Sequence, residues 1–412
     1  MRIAFILGSF PTISETFILN QITGLIDRGQ DVDIFALSRG TNSQIQEEIY
    51  KYGLLRKTFY QPSIPENKFI RLLKGIYLFV SNFHRNPAVL FRSLNVFKYG
   101  KQAANLYLLF GAIPFIGKGN YDIIHAHFGP NGLWASQMRA IRAIQGKFMT
   151  TFHGYDVTKY ILERGQDVYR RLLSDGDLFT YNSEATKNKL LAMNCPTDKL
   201  VKLPMGVNLG KRQFSEKKLN QDSCIKILSV GRLVEMKGRE FAIRAVAKTA
   251  KKFPNVKYTI VGDGPLREKL QNLIDELKAS ESITLHGWVS SEQLKSLYRE
   301  YHLFLHPSVK SNDGNMEGQG VVLLEAQAYG LPIIATCHNA FPETVLDGES
   351  GFLVPERDVD ALAERLEYLI EHPEIWPRMG RAGRAYVEEN YDINKLSDRL
   401  VSVYQELLQR TK

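Results

Sequence analysis

Residues 313–332 read "DGNMEGQGVVLLEAQAYGLP". Gly318 and Gly320 disfavour a helix interior, so a helix is predicted to begin near residue 320, on the aliphatic run that follows. Before it stands "LFLHPS" and after it "PIIATC", two short apolar runs with strand character. A strand, a loop, a buried helix and a second strand make one unit of a parallel sheet with helical crossovers. Glu317 and Glu325 stand eight apart, one just before the predicted helix and one over a turn inside it.

The pattern repeats outward. "IKILSVGRL", "VKYTIVGDG" and "SITLHGWV" are further strand candidates, with helical periods in "EFAIRAVAKTAKKF", "PLREKLQNLIDELKA" and "SEQLKSLYREY". Helical segments of this length between strands imply a right-handed parallel sheet. Upstream, residues 209–222, "LGKRQFSEKKLNQD", are charged and lack an apolar period, and are read as a linker. The first half opens as a βαβ unit: "RIAFIL", a helix with Ser14 as N-cap and Gly29 as C-cap, then "DVDIFAL". The runs "YDIIHAHFG", "FMTTFHG" and "LFTYNSE" look like strand ends followed by loops. The expected architecture is α/β: two doubly wound Rossmann-like domains facing a cleft, residues 1–208 and 223–390. Residues 391–412 are expected to form a final helix that packs back on the N-terminal domain, with Leu396, Leu400, Val403 and Leu407 on one face. Ligands of open α/β sheets bind at strand C-termini, so the loops just after strands matter most.

Three such loops stand out beside the opening stretch. In "VGRLVEMKG", Arg232 follows a strand and Lys237 precedes a helix. Two fixed cations there suit a diphosphate, and a charged surface loop is the plainer alternative. "VGDGPLREKL" places Gly262 and Gly264 between a strand and a helix but lacks a third glycine, so it is weak evidence for a nucleotide. The amides of the helix near residue 320 favour an anion. Carboxylates accept hydrogen bonds from paired hydroxyls of a sugar or ribose, which Glu317 and Glu325 suit. The plainer reading is a capping acid and a solvated helix acid. His125, His127 and His153 end two strands. H-x-H lacks a third ligand nearby, which argues against zinc. His153, beside Gly154 and near Asp156, is placed to touch a substrate from the first domain.

In order and spacing, "SVGRLVEMKG", "VGDGPLR", "HGWV", the Glu317–Glu325 pair, "LLEAQAYGLPIIAT" and "DGESGFLVP" resemble the retaining family 4 glycosyltransferases of the GT-B fold. "FPTISETFI", "DIIHAHFGPNG", "TFHGYD" and "LPMGVN" extend the resemblance loosely through the first half. "SETFI", "NDGNMEGQGVVLLEA" and "CHNAFPE" resemble the bacterial exopolysaccharide and colanic-acid-type enzymes. The resemblance implies hexose transfer from a nucleotide sugar, a UDP- or GDP-hexose, as substrate, with retained configuration and with no cofactor or metal. It implies that Arg232 and Lys237 hold the diphosphate, with Gly262, Gly318, Gly320 and Val321 around the donor. Glu317 would meet sugar hydroxyls, Glu325 the ribose, and the backbone at Trp288 and Val289 the base. His153 would reach the donor sugar, and Ser14, Glu15, His127 and Asp156 would line the acceptor side. The loop "GSFPTISET" departs from many relatives in offering only Gly8. A sugar-nucleotide isomerase or epimerase of the same architecture is the alternative.

The chain has 412 residues and three scattered cysteines, which fits two domains in a reducing cytosol. Its longest apolar stretch, 103–117, is too short to span a bilayer. The net charge of +9 lies in one place: residues 51–120 hold eleven Lys/Arg and a single acid, Glu66, with thirteen Phe/Tyr among them. This helical-looking segment suits an anionic membrane interface, a nucleic acid, or ordinary helices with solvated basic faces. The resemblance favours the membrane, since such acceptors are commonly lipid-linked. The expected place of action is cytoplasmic, on the inner face of the plasma membrane, with a glycan or glycolipid acceptor and no nucleic acid.

Overall fold

The computed structural model describes residues 1–12, 15–40, 46–219 and 224–410. The first sheet comprises β1 (Arg2–Phe10), β2 (Asp31–Arg39), β3 (Thr58–Tyr60), β4 (Ile123–His127), β5 (Lys147–Phe152), β6 (Leu178–Tyr181) and β7 (Leu200–Lys202). Its order is β3-β2-β1-β4-β5-β6-β7, and every pairing is parallel. The second comprises β8 (Ile225–Val230), β9 (Val256–Val261), β10 (Ile283–Gly287), β11 (Leu303–His306), β12 (Ile333–Thr336) and β13 (Gly351–Val354). Its order is β10-β9-β8-β11-β12-β13, again parallel throughout. The central strands are buried along their length, as sheets covered by helices on both faces must be.

Strand order reverses between β1 and β4 in one sheet and between β8 and β11 in the other. A crevice opens at such a switch point, beyond the strand ends. Arg232, Lys237 and Glu317 all lie on loops leaving β8 or β11.

The final helix, Ile393–Gln409, leaves the second domain and lies on the first. Arg28 pairs with Asp398 at 2.6 Å, and Tyr404 Oη lies 2.7 Å from His125 Nδ1. Its buried face is Ile393, Ser397, Leu400, Val403, Tyr404 and Leu407. Leu396, expected on that face, is half-buried against Gly206 instead. The helix after β1 runs Thr16–Asp27 and is followed by Arg28 at its C-cap, with Gly29 one residue further on. The expected N-cap, Ser14, lies outside the described residues.

Residues 209–219 are fastened to the second domain. Lys217, only 2% exposed, donates to the carbonyls of Tyr298 (2.9 Å) and Arg299 (2.8 Å). Those carbonyls end the helix Ser291–Glu300, where a cation meets the negative end of the helix dipole. Residues 220–222 of the expected linker lie outside the described residues.

Candidate functional site

Glu317 is the centre of the site. The loop after β11 carries it back over the sheet, and its carboxylate meets three side chains. Lys237 forms an ion pair with it, His306 Nε2 lies 2.9 Å away, and Ser308 Oγ donates at 2.5 Å. Both charged side chains are 11% exposed. Burial alone would push the Glu317 carboxyl up. Lys237 and His306 outweigh it and hold the group well below the usual carboxylate range. Burial leaves Lys237 below its ordinary value, with Glu317 opposing that shift. Burial lowers His306 to about 4, so the ring is neutral and donates through Nε2.

The Glu317 backbone is fixed as firmly. Its N–H donates to His338 Nε2 at 3.0 Å, and its carbonyl accepts from Asn339 Nδ2 at 2.6 Å. His338 in turn donates through Nδ1 to Glu356 at 2.5 Å. Gly320 then turns the chain at φ 69 into the helix Val321–Ala328, and a Cβ there would lie 2.6 Å from the Phe341 ring. The helix start therefore stands beside the Lys237–Glu317 pair.

Arg239 adds a second buried cation. It is 2% exposed and donates to the Val230 carbonyl at 2.8 Å, with no carboxylate partner among the described residues. Arg232, by contrast, is exposed and forms no ion pair among the described residues. Gly262 lets the loop after β9 press on this one: a Cβ would lie 2.1 Å from the Gly231 carbonyl. That contact is a packing role for a glycine read as a nucleotide approach. Trp288 is 65% exposed beyond β10, and Val289 packs into the core beside it.

Glu325 shares none of Glu317's partners. It pairs with Arg212 of the connecting segment, and Tyr298 Oη lies 3.4 Å away. A ribose reaching Glu325 would meet Arg212 as well.

On the first domain, His153 follows β5 and is 5% exposed. Its backbone N–H and those of Gly154 and Gly129 donate to the Asp156 carboxylate at 2.8–3.0 Å. Asp156 is fully buried and its oxygens are taken by these amides, so it shapes the His153 turn and does not line the cleft. Burial pushes its carboxyl up against those three N–H groups. His127 is also fully buried, stacked on Phe5, with Nδ1 3.0 Å from His153 Nε2. The expectation that His127 lines the acceptor side is corrected: it stands behind His153. Burial drives His125 and His153 down to about 3 and His127 well below its ordinary value, so all three rings are neutral. Glu15 bonds Thr12 at 3.0 Å and lines a small enclosed space with Leu7, Phe10, Ile18, Leu19, Gln46 and Ile49.

The two domains touch at this point. A Cβ on Gly318 would lie 2.4 Å from the His153 carbonyl, and one on Gly154 would lie 3.2 Å from Gly318 Cα. Lys159 pairs with Asp313, and Lys202 with Glu343, each at 2.6 Å across the cleft. Sequence reading missed His306, Ser308, Arg239, Arg212 and Gln319. His306 ends β11 and Ser308 lies two residues beyond it, the same strand-end position that selected His153. Among the described residues no cluster of three or more His, Cys, Asp or Glu could hold a metal ion.

Comparison with known proteins agrees with this geometry. Residues 14–211 match the family described as Glycosyltransferase Family 4, and residues 210–386 match Glycosyl transferases group 1. The chain is 34% identical, over 98% of its length and all of the relative's, to WcaL of Salmonella typhimurium, a glycosyltransferase named for colanic acid biosynthesis. It is 34% identical over 99% of its length to the whole of the amylovoran biosynthesis glycosyltransferase AmsK of Erwinia amylovora. The structure of Alr3699/HepE of Anabaena, solved with UDP and glucose, aligns over 98% of this chain and all of its own, with a TM-score of 0.69 at 16% identity. With two facing parallel sheets and relatives matched end to end, the chain belongs to glycosyltransferase family 4, enzymes of the GT-B fold, beside the colanic-acid and amylovoran transferases.

Proposed function

We propose that this glycosyltransferase moves a hexose from a UDP- or GDP-sugar to a lipid-linked glycan in exopolysaccharide or capsule synthesis. Transfer retains anomeric configuration, needs no metal ion, and takes place with the enzyme docked on the inner face of the plasma membrane. The names of its full-length relatives support the pathway class. The UDP held by the Anabaena protein supports the donor class.

The observation that carries the reading is the buried Lys237–Glu317 pair beside the start of the helix Val321–Ala328. When a donor diphosphate enters, Lys237 exchanges the carboxylate for phosphate, and Glu317 is freed to accept sugar hydroxyls. The C1–O bond to the diphosphate then breaks, with both electrons going to the phosphate oxygen. Lys237, Arg232, the buried Arg239 and the helix amides offset that charge, which is the work a metal ion does elsewhere. The acceptor oxygen bonds to C1 on the face the phosphate leaves, and its proton passes to the departing phosphate. His153, neutral and beside Gly318, faces the sugar from the first domain.

Lys237→Ala and Arg232→Ala are each expected to cut turnover at saturating donor at least tenfold, about 1.4 kcal/mol of barrier. Steady-state release of nucleoside diphosphate checks this, and near-normal turnover in both variants would refute the reading.

A further inference from the structure

Gln319 stands between the residues assigned to the donor, yet its side chain leaves them. Its Oε1 accepts from the Met205 N–H at 2.7 Å, and its Nε2 donates to the Met205 carbonyl at 2.8 Å. A side-chain amide thus pairs with one backbone residue as a neighbouring strand would. Gln319 is 2% exposed, and Met205 belongs to the first domain, just beyond β7. The Gln319 carbonyl is held on the other side by Thr344 Oγ1 at 3.0 Å. The same loop presses on His153 through Gly318.

The geometry points to Gln319 as a positioning residue that sets the register of the Glu317 loop against the first domain. This rests on the donor assignment above. Two hydrogen bonds to one residue fix distance and direction together, and they lie two residues from Glu317. With them in place, Glu317 and His153 face one donor sugar from opposite sides. Without them the loop keeps its ties to His338, Asn339 and Thr344 and still accepts the diphosphate. The acceptor domain, however, is then held opposite it by Lys159–Asp313, Lys202–Glu343 and the Gly318–His153 contact, which fix its register less closely. Transfer depends on that placement far more steeply than binding does.

Gln319→Met keeps length and removes both bonds, and Gln319→Asn, one methylene short, serves should the first variant fail to fold. UDP and GDP are titrated calorimetrically into the full chain. Turnover is read as nucleoside diphosphate released from UDP-glucose and GDP-mannose in the presence of a membrane lipid extract. Hydrogen exchange is followed at the Met205 amide. The expected result is nucleotide affinity within twofold of wild type, turnover reduced at least tenfold, and faster exchange at Met205. Equal turnover in variant and wild type overturns the inference. So does a parallel loss of affinity and turnover, which marks an ordinary donor-site residue. If wild type itself binds neither nucleotide, the donor assignment falls and the inference with it.

Discussion

Lys237 and Glu317 lie 80 positions apart in sequence, and each leaves a strand at the same switch point. Their types and loop positions were legible in the sequence, because only loops at strand ends reach the crevice. Their contact with each other was not, since it depends on how β8 and β11 neighbour in the sheet. The histidines teach a complementary lesson. H-x-H at the end of β4 looked like a cleft feature, but residues two apart share one face of a strand, and that face is covered here: His125 and His127 are both fully buried. His125 and His153 are held down to about 3 by burial, against about 6.5 when unfolded. The folded state then binds fewer protons. Their contribution to stability is whole above pH 6.5 and is lost as pH falls from there towards 3, by about 1.4 kcal/mol per pH unit for each ring. Urea midpoints are expected to drop steeply between pH 7 and 5, and His125→Gln is expected to make that drop shallower. An unchanged slope in the variant would contradict the assignment.

At the scale of elements, the helix Lys68–Asn82 is the clearest departure from ordinary packing. Its buried residues are Gly75, Leu78 and Asn82. Phe69, Ile70, Leu73, Ile76, Tyr77 and Val80 are all more than half exposed, with Phe91 and Phe97 exposed nearby. The sequence marked this segment as helical, but periodicity cannot say whether an apolar face turns inward. Lys68, Arg71 and Lys74 lie on the same helix, an arrangement suited to an anionic bilayer surface. No helix among the described residues is long and apolar enough to cross a membrane. Cosedimentation with phosphatidylglycerol vesicles is expected at low salt, weakening as salt rises. The triple change Phe69→Ser, Ile76→Ser and Val80→Ser should remove it and leave folding within about 1.5 kcal/mol, at about 0.5 kcal/mol for each exposed site. Absence of binding at low salt would discard the docking surface. Short elements were the least legible: β3 is three residues within a segment read as helical, and its strand character comes from pairing with β2.

For the whole molecule, the two-sheet plan followed from alternating strand and helix signals, which are strong because both faces of each sheet are covered. The way the halves join was less visible. Arg212 and Lys217 come from a stretch whose charges carry no periodic signal, yet they tie that stretch to Glu325 and to the end of the helix Ser291–Glu300. Gln319 and the ion pairs Lys159–Asp313 and Lys202–Glu343 join residues that only the folded chain brings together. The central claim is that the crevice between these halves grips a nucleoside diphosphate through Lys237 and the adjoining helix start. Calorimetric titration of UDP and GDP into the wild-type chain and into Lys237→Ala tests it most directly. Saturable binding of at least one nucleotide by wild type, weakened tenfold or more in the variant, is the predicted result; equal affinity in the two proteins, or no binding by wild type, would contradict it.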